Sequence, residues 1–107
     1  WCMSKHVFDR DAWAQLDVFN QMGNIGSEVG RALVAKHAGK TERSMSAFYR
    51  GIDLINATVE AWVSRGKSPR ELLIAREQFA QSILTENEDA TLEKYFMQFA
   101  LAARANR

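Results

Sequence analysis

Apolar residues recur at intervals of three and four along four stretches of the chain, and each stretch predicts an amphipathic helix. In the first, residues 11–36, one row holds Val18, Met22, Ile25 and Val29, and a second holds Leu16, Phe19, Gly23, Gly26, Gly30 and Leu33. Asp17, Asn20, Gln21, Asn24, Ser27, Glu28 and Arg31 share the remaining arc with no large apolar residue among them. The second stretch, residues 41–64, carries a seam of Met45, Phe48, Ile52, Ile55, Val59 and Trp62. Leu72, Phe79 and Ile83 mark a third helix over 69–84, and Leu92, Tyr95, Phe96 and Phe99 a fourth over 88–104. No segment reads as a strand or a repeat. Four helices with short connections predict an all-α, up-down-up-down four-helix bundle in a single domain, residues 1–107.

The connections carry their own signals. "KHAGK" places Gly39 after a helix C-terminus, where a left-handed residue is favoured, with Lys36 and His37 at the negative end of the dipole. Thr41 is expected to cap the next helix. "SPRE" suggests Ser68 as N-cap, Pro69 as the first helical residue and Glu71 as the partner in a capping box. "TENEDA" interrupts the pattern after residue 84, with Thr85 or Asn87 as the expected cap of the last helix.

Within the first helix "QMGNIGSEVGRAL" raises a choice between a phosphate-binding loop and a stripe of bare helix surface. Its spacing is G-x-x-G-x-x-x-G, with neither the Lys-Ser/Thr of a P-loop nor a strand before it. The helical reading follows. Each interior glycine costs about 1 kcal/mol against alanine, so Gly23, Gly26 and Gly30 are expected to form a close-packing stripe under a crossing helix.

Composition narrows the function classes. A chain of 107 residues, 47% apolar with one proline, folds but buries only a modest core, which keeps self-association open. Fourteen Lys and Arg against thirteen Asp and Glu leave a net charge of +1. No global field draws in nucleic acid, so a basic site must be local and tight binding is expected to need a basic partner protein. The lone Cys2 and the lack of a long apolar run suggest a soluble protein of a reducing, cytoplasmic compartment with no membrane contact. Trp1-Cys2 precede Met3, which leaves open a native start at Met3 or a piece of a longer chain.

Candidate chemistry is sparse. His6 and His37 are the only histidines, Glu-x-x-His is absent, and no metal or cofactor is expected. "RALVAKH" resembles the arginine and histidine element of the HEPN ribonucleases, which implies a ribonuclease using Arg31 and His37 as one alternative. The other candidate is a basic cluster around the first connection: Arg31, Lys36, Lys40 and Arg43, with His37, opposed by Glu42 alone. Such a group holds nucleic-acid phosphates, or is neutralised by Glu86, Glu88 and Asp89 of the third connection at the same end of a bundle. A smaller group, Arg65, Lys67 and Arg70, marks the opposite end. No aromatic residue is expected to interleave with either group, so base stacking is not anticipated.

Two segments carry a family resemblance. "NIGSEVGR", Asn24 to Arg31, resembles the "NIAEGxGR" element of the 23S rRNA intervening-sequence protein family, and "FYRGIDLINATVE", Phe48 to Glu60, resembles its "FxRFLxIAxGSLxE" segment. Glu28 stands where that family has glycine, and Gly51 where it has phenylalanine. The resemblance implies a four-helix bundle assembled as a ring-like homopentamer, without an established reaction. It further implies a relation to accessory proteins of diversity-generating retroelements, which bind a reverse transcriptase and nucleic acid. Asn24 and Arg50, off the apolar seams, are expected to make polar contacts between helices or subunits. The expectation is a non-catalytic homo-oligomeric adaptor that meets RNA or DNA together with a partner protein.

Overall fold

The computed structural model describes residues 10–88 and 91–105, and within them the chain is all-α, with five helices and no strand. They are α1 (Arg10–Gln15), α2 (Val18–His37), α3 (Thr41–Ser64), α4 (Arg70–Leu84) and α5 (Thr91–Ala105). The expected helix over 11–36 is corrected, because it breaks before Val18. Asp17 takes an extended backbone (ψ 166°), and its carboxylate accepts the Asn20 N–H at 2.8 Å, so it caps a new helix. The apolar periodicity runs across this break, which is why spacing alone joins α1 to α2.

Further ends differ from expectation, and α5 begins at Thr91 instead of residue 88. Lys40 rather than Thr41 occupies the N-cap of α3 and makes no side-chain cap. Thr85 closes α4 instead of opening α5: its hydroxyl donates to the Gln81 carbonyl and accepts the Asn87 N–H at 3.1 Å. The start of α4 is corrected by one residue: Pro69, not Ser68, is the N-cap, without a side-chain cap, and Ser68 before it accepts the Arg70 N–H at 3.3 Å, with no capping box to Glu71 among the described residues. Both ends of the α2–α3 hairpin close in the same way. After α2, Gly39 (φ 74°) donates to Lys36 O and Lys40 to Ala35 O; after α3, Gly66 (φ 76°) donates to Val63 O and Lys67 to Trp62 O. This is the Schellman arrangement, and a side chain at either glycine would be strained.

The helix α2 lies at the centre. It runs antiparallel to α3, since Ser44 at the start of α3 donates to Ala32 O while Trp62 near its end donates to Gln21 Oε1. On its other flank α5 also runs antiparallel to α2: Phe96 meets Gly26 and Phe99 lies 6.4 Å from Phe19 between ring centres. The fourth helix packs on α3, with Phe79 edge-on to Phe48 at 5.0 Å. Met22, Ile25, Val29, Ile55, Leu72, Phe79, Leu92 and Phe96 fill the interior, drawn from the expected apolar rows.

Small residues set how closely the helices approach, but not as the spacing suggested. A Cβ on Gly26 would stand 2.8 Å from Phe96 Cβ, so α5 crosses directly over this residue. A Cβ on Gly23 or Gly30 would meet nothing within 4 Å, and the three-glycine stripe reduces to one packed glycine. A second, Gly51 of α3, is buried, and a Cβ there would come 2.7 Å from the Phe79 ring. A phenylalanine at this position would displace Phe79.

Short α1 is held by hydrogen bonds. The Trp13 indole donates to Thr58 Oγ1 at 2.8 Å, Gln21 donates to the Trp13 carbonyl at 3.0 Å, and Trp62 donates to Gln21 at 3.2 Å. Gln21 is fully buried despite its place on the polar arc. Arg65 adds a bond to the Ala14 carbonyl, and Lys67 lies over the Trp62 ring at 4.1 Å. These contacts account for two cations of the second basic group. Among the described residues no buried side-chain nitrogen or oxygen lacks a partner.

Candidate nucleic-acid interface

The turn between α2 and α3 gathers cations onto one groove. Because Ala38–Gly39–Lys40 folds back tightly, Arg31 on α2 faces the first three turns of α3. Arg31, Lys40, Arg43 and Arg50 then line a groove of about 530 Å³. Its apolar lining is Val34, Ala35, Ala38 and Ala47, and three alanines in that set leave the space open. Glu42 is the carboxylate on its wall.

Beneath the groove sits Glu28, 8% exposed. It accepts from Arg50 Nε at 2.7 Å and Nη2 at 3.4 Å, and from Arg31 Nη1 at 3.1 Å. One buried carboxylate thus orients two guanidinium groups whose side chains stay 50% and 65% exposed. Arg50 Nη1 makes no bond to the protein among the described residues. Four cations against Glu28 and Glu42 leave the groove locally positive, and fixed guanidinium groups on an open surface suit phosphate oxygens.

Lys36 does not belong to this set, which corrects the expected contact group. It turns the other way, donating to the carbonyls of Ser82 and Thr85 (the latter at 2.7 Å), with its ammonium 3.5 Å from Glu88. There it satisfies carbonyls that the end of α4 leaves without helical partners. His37 Nε2 lies 2.8 Å from Glu88 Oε1. The hydrogen bond with His37, reinforced by the charges of His37 and Lys36, holds the Glu88 carboxyl below its ordinary range. Neutralisation by the acidic third connection is therefore seen for Lys36 and His37 and not for the groove. Cys2, His6 and Asp89 lie outside the described residues.

Arg31 and His37 are not brought together. Six residues on one helix set them about 120° apart around the axis, and each is bound to a different carboxylate. Asn24, exposed, donates within α2 to the Asn20 carbonyl at 3.0 Å and makes no hydrogen bond to another helix of the chain among the described residues. Arg50 does cross between helices, through Glu28. The buried role of Glu28 went unseen in the sequence, where its polar arc pointed to solvent; the Glu28/Arg31 spacing of three was the available signal.

Among the described residues, no group of three or more His, Cys, Asp or Glu side chains gathers as a metal site, and no helix is long and apolar enough to cross a membrane. Comparison of the chain with protein-family models, curated proteins and solved structures finds no match.

Proposed function

We propose that this protein is a non-catalytic, self-associating adaptor of the four-helix-bundle type, acting in the cytoplasm, that holds nucleic-acid phosphates in the α2–α3 groove. The convergence of Arg31, Lys40, Arg43 and Arg50, two of them oriented by buried Glu28, carries this reading. The resemblance to the 23S rRNA intervening-sequence proteins supports it from the side of the sequence and supplies the pentamer as the assembly. Apolar side chains left on the surface, Val63, Ile74, Leu84, Met97 and Leu101, each more than half exposed, support a contact with further copies. A small groove with few cations binds weakly alone, and a ring that repeats it, or a basic partner protein, raises the affinity through multivalency.

The test is RNA binding by the purified chain, followed by anisotropy at increasing salt. Four groove cations predict a slope of log K against log salt of about −3 on a single strand. Binding independent of salt, or absent at low salt, contradicts the groove. Sedimentation tests assembly separately, and a clean monomer at micromolar concentration contradicts the ring.

A further inference from the structure

The face of α3 that continues the groove carries an aromatic ring left largely open to solvent. Ser46 stands three residues before Tyr49 and four before Arg50, and Asp53 four after Tyr49 and three after Arg50, which sets the four residues along one side of the helix. They line a second cavity, which shares Ser46 and Arg50 with the basic groove. Tyr49 is 60% exposed, and its hydroxyl has no partner among the described residues. Its neighbour Phe48 is buried against Phe79, and the Phe48 and Tyr49 rings lie 5.7 Å apart at 53°. Tyr49 thus leans on a buried ring while much of its surface faces solvent. Tyr49 lies outside the basic groups read from the sequence and meets the groove only through the shared Ser46 and Arg50.

An open aromatic face beside the Arg50 guanidinium, at the edge of the basic groove, is a platform for a flat, weakly polar partner attached to an anion. A nucleobase on its phosphate backbone meets both demands. Asp53, at the end away from Lys40 and Arg43, repels phosphate and so directs the backbone along the groove while a base covers the ring. A duplex keeps its base faces stacked on one another and can offer only phosphates and groove edges. We infer that the ligand of this site is single-stranded nucleic acid, held by its phosphates in the groove and by one base stacked on Tyr49. This rests on the groove reading above.

The test compares, by anisotropy at low salt, a short single-stranded oligonucleotide with an abasic strand of equal length and charge. The normal strand is expected to bind about tenfold more tightly, the contribution of one stacked base. Tyr49→Ala should abolish that advantage and Tyr49→Phe should keep it, both variants retaining the wild-type helical circular dichroism because the residue is exposed. Equal binding of the two strands, or an advantage that survives Tyr49→Ala, overturns the stacked base while salt-dependent binding of both leaves the groove standing. Failure of both strands to bind overturns the groove and the stacked base together.

Discussion

Gly26 offers a test of the packing that can be worked through from distances. In Gly26→Ala the new Cβ would stand 2.8 Å from Phe96 Cβ, closer than such atoms approach, and Phe96 is 2% exposed with its Cβ fixed to the backbone of α5. No flexible tip can swing aside, so α5 must retreat by several tenths of an ångström. Overpacking of this kind costs about 1–3 kcal/mol. Against it runs the gain of about 1 kcal/mol from replacing a helical glycine. Gly23→Ala collects the same gain with nothing within 4 Å to offset it. The propensity contribution cancels between the two variants, so Gly23→Ala should exceed Gly26→Ala in stability by about 1–3 kcal/mol. Urea unfolding followed by far-ultraviolet circular dichroism, with a common m-value, reads this difference. If Gly26→Ala gains as much stability as Gly23→Ala, α5 does not cross α2 at this residue.

Other consequences are as direct. Gln21→Leu leaves the Trp62 indole N–H without its buried acceptor, while the Trp13 carbonyl keeps the Leu16 N–H at 3.1 Å, and should cost about 1–3 kcal/mol in the same unfolding assay. Glu28→Gln should cost only about 1 kcal/mol, because the guanidinium groups it releases are half exposed and rehydrate. Glu88, whose carboxyl is held low by His37 and Lys36, contributes stability that is complete above its ordinary value of 4.5 and is lost as pH falls through its lower folded value. Acid unfolding of Glu88→Gln should therefore show a shallower loss across that range than the wild type, starting from a lower stability at neutral pH.

The parts legible in the sequence were those set by local signals. The limits of α3, Thr41–Ser64, coincide with the apolar seam because the glycine turns after α2 and α3 fix where each helix can stop. The break before Val18 depends on a single Asp17 carboxylate reaching the Asn20 N–H, and the periodic rows on either side conceal it. Polar residues on a helical wheel read as solvated, yet Gln21 and Glu28 are buried because partners more than twenty residues away, Trp62 and Arg50, complete their hydrogen bonds. Spacing gave three equivalent glycines; the crossing point of α5, a tertiary fact, chose Gly26. Cations clustered in the chain divided in space because successive residues of a helix point about 100° apart. Lys36 and His37 went to the end of α4, and Arg50, left out of the basic cluster, joined the groove.

The claim that phosphates lie in the α2–α3 groove is tested most directly by the salt slope of RNA binding in two variants. Lys40→Ala/Arg43→Ala removes two groove cations whose side chains make no hydrogen bond or ion pair among the described residues, and should flatten the slope by about 1.5 units with little change in melting temperature. Lys36→Ala removes the cation bound to Ser82, Thr85 and Glu88, and should lower the melting temperature while leaving the slope as it is. An unchanged slope in the double variant, or a slope flattened by Lys36→Ala to the same degree, would contradict the account.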